Sequence, residues 1–592
     1  MTLIFQVICA IFSGILSALA MPNEFLAFGS PVIGFFALLP LYLAVKKARS
    51  YKVCALLFAL DALATHLLSS YWLANFKDFA VFTLGASAFG TACIEAMAGC
   101  LFFFPFSKGG RVDGGRAKLA IGKAFFDAES LRPLLFAAVR AAYEWAKSTG
   151  FLAYPWGVLS MAAFNDKALI QCSDIFGTYG ISFLMAYFSA CCAEAALLLN
   201  KFSFGAALPY KEAKFNLACA AKCLALCLLL VYSYGAFRLC QKSPAIKTFN
   251  AVLVQQNMDP WASDDDEESL QKSIELSKKG LFDFESEGKK ADLVVWSEAV
   301  LRYALPHALG RYDYVPQGQS LFDFIKSQGV PFVIGGPYFE PLSEGEGRKM
   351  YNAALVFDQS AALRGFYAKS HLVPFAEVIP YADRKFVRKT MERLVGFSNG
   401  WNPGKRLDLF DFPASEGYSD AAPAYYDLSL DAAADEKKRN EAKVRAALPI
   451  CFEDAFPDVC GPMFQAGAEV FINITDDSWS KTASAERQHF AVAAFRAVEY
   501  RTSLVRSTNA GLTAVVDDKG RVLQSIPLFE DGYLCAKIPI YRRRATVYSS
   551  CGDWFAHLIL ILIALAAVCK ARDFRRPKLR DCVMAELLKI EF

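Results

Sequence analysis

The stretch LPICFEDAF, residues 448–456, places a cysteine at the end of an apolar run and two acids directly after it. The apolar residues are typical of a buried strand in a layered α/β domain. Cys451 is one of 17 cysteines, and most of the others lie in apolar surroundings, where a thiol is a small apolar side chain. Two interpretations of Cys451 are therefore open: a structural cysteine, or a nucleophile at a strand end.

Composition divides the chain into an apolar region and a more polar one. With 592 residues the chain is too long for one ordinary domain. Its 55% hydrophobic content and its mean hydropathy of +0.27 are high for a soluble protein. The apolar excess lies in the first 240 residues and in one segment near the end. The net charge of only +4 gives no reason to expect a nucleic-acid partner.

The apolar segments are long enough to cross a bilayer, which takes about 20 helical residues. The N-terminal segment contains SALA at 17–20, which resembles a signal-peptidase site. It lacks the basic region of a signal peptide, and further spans follow at once, so we expect it to be a membrane span. The predicted spans are 3–21, 31–46, 53–73, 80–106, 131–149, 175–199, 217–240 and 552–570.

The placement of Lys and Arg predicts the orientation of these spans. Basic residues cluster after the second, fourth and sixth spans and in the tail, whereas the intervening loops hold few. Basic residues in short loops stay on the cytoplasmic side, so both termini are expected there. The chain then divides into a transmembrane domain of about seven helices (1–247), an extracytoplasmic domain (248–545), and a final helix with a basic cytoplasmic tail (546–592).

Short β-rich runs alternate with amphipathic helices in the extracytoplasmic segment, which predicts an α/β domain. Residues 404–445 break this pattern, and we interpret most of them as a surface insertion. The predicted helices are 266–282, 318–328, 454–466 and 485–500, and the predicted strands are 250–257, 291–298, 331–336, 352–358, 363–369, 446–453, 469–475, 503–508 and 512–518.

Three strand ends carry residues that suit acyl transfer: Glu298, Lys369 with Glu377, and Cys451. Polar residues at the carboxyl ends of α/β strands commonly converge on one site. A thiol needs a base to become a thiolate, and a developing oxyanion needs a positive group or N–H donors. Taken singly, each residue has an ordinary structural explanation, and only the combination in this order favours a catalytic site.

The motifs that carry these residues resemble a known family. WSE (296–298), YAKSHLVPFAEVIP (367–380) and ICFED (450–454) are similar to the Glu–Lys–Cys motifs of the nitrilase superfamily. The form KSHLVPFAE, combined with eight predicted spans, resembles the apolipoprotein N-acyltransferases within it. YEWAKSTGFLAYPWGVLS (143–160) in the membrane region is similar to that family too. The resemblance implies a helical membrane domain joined to a nitrilase-like α-β-β-α sandwich.

The resemblance also implies roles for individual residues. Glu298 would be the general base, Lys369 the stabiliser of the tetrahedral intermediate, and Cys451 the nucleophile. The backbone N–H of Phe452 would share the oxyanion with Lys369. Supporting acids and aromatic residues at the mouth of the site would be Glu377, Glu453, Trp261 and Trp479.

The implied reaction transfers a fatty acyl chain from a phospholipid to a diacylglyceryl lipoprotein precursor. A Cys451 thioester would form first, and the N-terminal α-amine of the S-diacylglyceryl-cysteine would then attack it. No cofactor or metal is expected. We expect a monomer in the inner (cytoplasmic) membrane of a bacterium, with the catalytic domain on the periplasmic side.

Two alternatives stay open from the sequence. One is a membrane-tethered amide hydrolase, in which water replaces the amine. The other is a lipid-binding or transport protein whose outer domain is inactive. Asp61, His66 and Glu95 lie inside predicted spans, where ionisable residues often mark function. The sequence assigns them no partner, so we interpret them as structural polar contacts.

Overall fold

The fold is taken from a computed structural model of the chain. It describes residues 1–75, 81–106, 118–121, 124–127, 131–150, 152–203, 210–259, 265–313, 319–341, 348–379, 381, 384–395, 400–414 and 443–568. Trp261, most of the predicted insertion and the C-terminal tail lie outside these residues.

The N-terminal part is a bundle of apolar helices with one small β-hairpin, β1 (Lys118–Ile121) and β2 (Ala124–Asp127). Several helices begin after a serine or threonine whose hydroxyl accepts the N–H of the third helical residue, as Ser30 and Ser50 do. The helices are α1 (Leu3–Ala20), α2 (Pro31–Ala37), α3 (Leu39–Lys46), α4 (Tyr51–Ser69), α5 (Ser87–Phe103), α6 (Arg132–Lys147), α7 (Ser173–Ser203) and α8 (Tyr210–Cys240).

Among the described residues, five helical stretches are long and apolar enough to cross a membrane. They are Leu3–Ala20, Tyr51–Ser69, Thr83–Phe106, Leu169–Leu199 and Leu217–Cys240. Two apolar stretches are shorter, Pro31–Lys46 and Trp554–Val568. The predicted span 131–149 contains α6, which buries four charged side chains inside the bundle: Arg132, Arg140, Glu144 and Lys147.

Buried ion pairs hold α4, α5 and α6 together. Arg140 donates from Nη1 to Asp61 (3.1 Å) and to Glu95 (2.7 Å), and from Nε to Glu144 (3.0 Å). All four side chains are almost fully buried. Arg140 is thus the partner that the sequence did not assign to Asp61 and Glu95. A buried charge without such a partner would cost several kcal/mol (about 3–5).

The C-terminal part contains two six-stranded mixed sheets. The first has the order β14-β3-β4-β5-β6-β7, and the second has the order β13-β12-β11-β10-β9-β8. The strands are β3 (Ala245–Gln255), β4 (Leu293–Val295), β5 (Phe332–Pro341), β6 (Arg348–Phe357), β7 (Leu363–Ala368), β8 (Leu409–Pro413), β9 (Lys443–Ala447), β10 (Val470–Thr475), β11 (Ser503–Thr508), β12 (Ala514–Val516), β13 (Val522–Ser525) and β14 (Gly532–Tyr541).

Alternation along the strands explains how the sheets pack. On β3, Ala251 and Leu253 face the second sheet, whereas Val252 and Val254 face helices on the outer side. The first sheet is covered by α9 (Glu267–Ser286), α10 (Leu309–Asp313) and α11 (Leu321–Gln328), and α12 (Lys385–Val395) follows β7. The second sheet packs on α13 (Pro457–Gln465) and α14 (Ala483–Tyr500), and α15 (Val547–Cys551) and α16 (Trp554–Val568) follow.

This α-β-β-α sandwich beside apolar helices confirms the predicted fold class. Each predicted strand overlaps an observed one, but β9 ends at Ala447, so Cys451 lies beyond the strand rather than at its last residue. The sequence interpretation missed β8, β13 and β14. The strand β13 is an exposed edge without an apolar face, and β14 contains Pro539, which is unusual inside a strand.

Candidate active site

Cys451 lies in a tight turn where β9 gives way to a 3-10 helix, Cys451–Ala455. Its φ is +54°, a left-handed conformation that costs a non-glycine residue about 1–3 kcal/mol. Asn473 on β10 stabilises this turn, because its Nδ2 donates to the carbonyls of Pro449 (3.1 Å) and Cys451 (2.8 Å). The Cys451 side chain is buried, with 9% of its surface exposed.

Lys369 and two glutamates form a buried ion cluster beside this turn. Lys369 follows β7, and its Nζ lies 3.2 Å from Glu298 Oε1 and 2.8 Å from Glu377 Oε1. Asn352 on β6 donates from Nδ2 to the same two oxygens, at 2.7 and 3.0 Å. The backbone N–H of Val373 donates to Glu377 Oε2 (2.8 Å). The two carboxylates are thus fixed around one ammonium.

Electrostatics connect this cluster to the thiol. Burial and the charge of Glu298 raise the pKa of Cys451 well above its ordinary value, and only Lys369 opposes them strongly. Burial alone would lower the pKa of Lys369, but the Cys451 sulfur when it is ionised and the negative charges of Glu298 and Glu377 raise it well above its ordinary value. The lysine therefore stays protonated, and the thiol needs a base to lose its proton.

The second oxygen of Glu298 is held by the loop after β10. The backbone N–H of Asp476 donates to Glu298 Oε2 (2.9 Å). Asp476 itself accepts from the Ser478 N–H (3.1 Å) and from Asn509 Nδ2 (3.0 Å). Burial raises the pKa of Asp476 to about 6, although these donors oppose the shift. Both Glu298 oxygens therefore have defined donors, which orients the carboxylate.

Glu453 connects the cysteine turn to the lysine loop. Its Oε1 accepts from the backbone N–H groups of Ser370 (2.7 Å) and His371 (3.0 Å) and from the hydroxyls of Ser370 (2.8 Å) and Tyr367 (3.0 Å). Its Oε2 accepts from the Ile450 N–H (2.8 Å). Glu453 thus holds the segment after Lys369 against the residue before Cys451, rather than contacting the lysine as Glu377 does.

Aromatic side chains link the site to the helical domain. The Phe452 ring lies 5.4 Å from Lys369 Nζ and stacks on Trp156, with centroids 6.3 Å apart. Trp156 contacts Trp72 (6.2 Å), and Trp72 contacts Trp479 (5.7 Å). The predicted mouth residue Trp479 therefore lies at the far end of a row of rings that begins beside Cys451.

A second buried ion network was not predicted from the sequence. His489 on α14 lies 2.7 Å from Asp477 through Nδ1 and 3.0 Å from Asp454 through Nε2, and Arg506 contacts the same two aspartates. Since both ring nitrogens face carboxylates, the ring is held as an imidazolium. Burial opposes this, but the charge of Asp477 raises the pKa of His489. The network joins the cysteine turn to the loop that holds Glu298.

Of the predicted site residues that the structure describes, it brings together all except Trp479, which two further tryptophans separate from Phe452. Glu298, Lys369 and Glu377 are in direct contact, and Cys451, Phe452 and Glu453 form the adjoining turn. The sequence interpretation missed Asn352, Asn473 and His489. A signal was present only for Asn473, which lies inside the apolar strand FINIT at 471–475, where an amide must find buried partners.

Comparisons with known proteins agree with this architecture. Residues 250–548 match the carbon-nitrogen hydrolase family model, and residues 13–191 match the model of the apolipoprotein N-acyltransferase N-terminal domain. The chain is 38% identical to apolipoprotein N-acyltransferase 2 of Treponema denticola, over 93% of this chain and 95% of that protein.

Two further relatives match over the same extent. Apolipoprotein N-acyltransferase 2 of Treponema pallidum is 34% identical over 95% of both chains, and apolipoprotein N-acyltransferase of Borreliella burgdorferi is 28% identical over 94% of both. With both family models matched and relatives aligned over nearly its full length, the chain belongs to the apolipoprotein N-acyltransferase family, membrane-bound acyltransferases of the carbon-nitrogen hydrolase superfamily.

Proposed function

We propose that this acyltransferase moves a fatty acyl chain from a phospholipid to the N-terminal α-amine of an S-diacylglyceryl-cysteine lipoprotein precursor, in two steps through a Cys451 thioester. The observation that carries the proposal is the buried contact of one ammonium, Lys369, with two carboxylates, Glu298 and Glu377, beside the left-handed turn of Cys451.

In the first step Glu298 takes the thiol proton of Cys451, and the thiolate attacks the ester carbonyl of the phospholipid. The oxyanion that develops is stabilised by Lys369 and by the backbone N–H of Phe452. When the intermediate collapses, the C–O bond breaks. The leaving lysophospholipid alkoxide takes the proton back from Glu298, which leaves an S-acyl cysteine and a regenerated base.

In the second step the α-amine of the acceptor attacks the thioester. Glu298 accepts a proton from the amine, the C–S bond breaks, and the proton returns to the sulfur of Cys451. Dividing the transfer lets one nucleophile meet two bulky lipids in turn. Glu377 keeps Lys369 charged and in place during both steps, because it contacts the ammonium at 2.8 Å.

Both proposed substrates carry acyl chains, and the row of rings at the domain border offers them an apolar surface. Trp156 and Trp72 belong to the helical domain and lead away from Phe452. We place the acyl chains along this apolar border during transfer. For orientation we propose a multi-pass monomer with both termini in the cytoplasm and residues 248–545 outside it, as the distribution of Lys and Arg favours.

Intact mass spectrometry tests the proposal. Purified protein incubated with a phospholipid of defined acyl chains should gain the mass of one acyl group, and Cys451→Ala should abolish the gain. Cys460 is the matched control, since it is also buried nine residues away and Cys460→Ala should keep the adduct. An adduct that survives Cys451→Ala would contradict the thioester.

The same reaction separates the proposal from hydrolysis. Addition of a diacylglyceryl-cysteine peptide should discharge the thioester and yield N-acyl peptide. Free fatty acid without N-acyl peptide would instead indicate the tethered hydrolase. A membrane-impermeant reagent added outside the cytoplasmic membrane should label residues 248–545. Labelling only from the cytoplasmic side would refute the proposed topology.

A further inference from the structure

The chain between Glu377 and Trp401 leaves the active site and returns to it. The backbone N–H of Trp401 donates to the carbonyl of Glu377 (2.8 Å), and that of Gly404 donates to the carbonyl of Lys369 (2.8 Å). A Cβ on Gly400 would lie 1.8 Å from the Glu377 carbonyl oxygen, so only glycine permits this return. The excursion, the segment from Glu377 to Trp401, thus starts at one residue of the ion cluster. The chain that follows it is hydrogen-bonded to the backbone of two, Glu377 and Lys369.

The described helix of this excursion, α12, is basic and amphipathic. Its sequence KFVRKTMERLV contains four basic residues and one acidic residue, and Val387, Met391 and Val395 recur four positions apart. Phe386 exposes 81% of its side chain, and Tyr381, just before the helix, exposes 61%. Lys385, Arg388 and Lys389 are also exposed. A helix of this composition is typical of membrane surfaces.

The residues that anchor α12 lie near the border of the sandwich with the helical domain. The excursion begins and ends at Glu377, whose partner Lys369 lies against the Phe452 ring. Phe452 in turn stacks on Trp156, which belongs to the helical domain. The residues that anchor α12 to the sandwich are thus connected, through Phe452, to the helical domain.

We propose that α12 lies in the headgroup layer and that its basic side chains bind anionic phospholipids, which gathers negatively charged lipids beside Cys451. The positive charge of α12 favours anionic lipid over a second copy of the chain. A second copy of the chain would present the same positive charge and be repelled, whereas an anionic headgroup neutralises it. Exposed Phe386 inserts among the acyl chains, which keeps the helix flat on the surface.

Photocrosslinking in lipid nanodiscs tests the location of the helix without any enzymatic turnover. A benzophenone amino acid replaces Phe386 in one variant and Phe282 in the control, since Phe282 is 66% exposed on α9 of the sandwich. We expect phospholipid adducts at position 386 at least fivefold above those at 282. Equal yields, or protein dimers at 386, would overturn the proposal.

Changing the lipid tests the charge selection. With phosphatidylglycerol in the nanodisc, adducts at position 386 should rise severalfold over those with phosphatidylcholine alone, because each basic residue near an anionic surface strengthens binding about fivefold. The double substitution Arg388→Gln with Lys389→Gln should bring this ratio close to one. Lys278→Gln with Lys279→Gln, two neighbouring exposed lysines on α9, should leave it unchanged.

The expected effect of α12 on catalysis rests on the proposed function. A failure of lipid recruitment by α12 can be distinguished from a failure of that function. In mixed micelles, Arg388→Gln with Lys389→Gln should raise the KM for a phosphatidylglycerol donor about tenfold. The KM for phosphatidylcholine and both kcat values should stay within twofold. A kcat loss with both donors would overturn lipid recruitment by α12. If the unsubstituted protein never acylates Cys451, the proposed function fails, while the crosslinking result still decides the location of α12.

Discussion

Replacing Asn352 by leucine removes a side-chain amide that contacts both carboxylates of the ion cluster. Its Nδ2 donates to Glu298 (2.7 Å) and to Glu377 (3.0 Å). Leucine has a similar volume and leaves the backbone bond from the Lys369 N–H to the Asn352 carbonyl (2.8 Å) intact. The substitution should therefore change the orientation of Glu298 and leave strand β6, which carries residue 352, in place.

The size of the effect follows from these two contacts. A hydrogen bond to a charged group contributes about 1.5–3 kcal/mol, and two bonds that share one donor are not additive. We expect a loss of about 3 kcal/mol in the barrier for acylation of Cys451, which is roughly a hundredfold in rate. Lys369 remains to hold Glu298, so a residual rate should persist.

Single-turnover acylation, followed by intact mass, measures this rate directly. Asn402→Leu is the matched control, because Asn402 also uses its side chain on β6, as acceptor from the Met350 N–H (2.9 Å), but at an exposed position. It should slow acylation less than threefold. The reasoning is refuted if Asn352→Leu acylates at the unsubstituted rate while thermal unfolding shows the protein to be folded.

Three further predictions concern the cysteine turn and the membrane bundle. Asn473→Ala removes two donors from the turn, so we expect a loss of about 1–3 kcal/mol in thermal stability and slower acylation of Cys451, measured by calorimetry and intact mass. Because burial and Glu298 raise the pKa of Cys451, its alkylation by iodoacetamide should be slow at pH 7 and rise through pH 9, and Lys369→Met should slow it further at each pH; a rate plateau below pH 7 on peptide mapping would contradict this. Arg140→Leu leaves its three buried carboxylates without a cation, so it should lower the free energy of unfolding in detergent by about 3–5 kcal/mol, and an unchanged melting temperature would contradict a stabilising role.

Much of the fold could be predicted from the sequence, because buried elements contain recognisable runs of apolar residues. Strands such as Val470–Thr475 and Leu293–Val295 are buried on both faces, and apolar runs of this kind can be recognised in the sequence. The proposed reacting groups could also be picked out, since Glu298, Lys369 and Cys451 each follow a strand inside a short motif. Edge strand β13 could not be predicted in this way, because an exposed strand needs no apolar pattern.

The sequence by itself determined the class of each region, apolar helices before a layered α/β domain, and it predicted which residues carry the chemistry. Only the tertiary structure decided their partners. Asn352 on β6 reaches Glu298 and Glu377 across separations of 54 and 25 residues, and Arg140 reaches Asp61 across 79. Hydrophobic periodicity reports which face of an element is buried. It does not report which buried polar groups meet, because that depends on how distant elements pack.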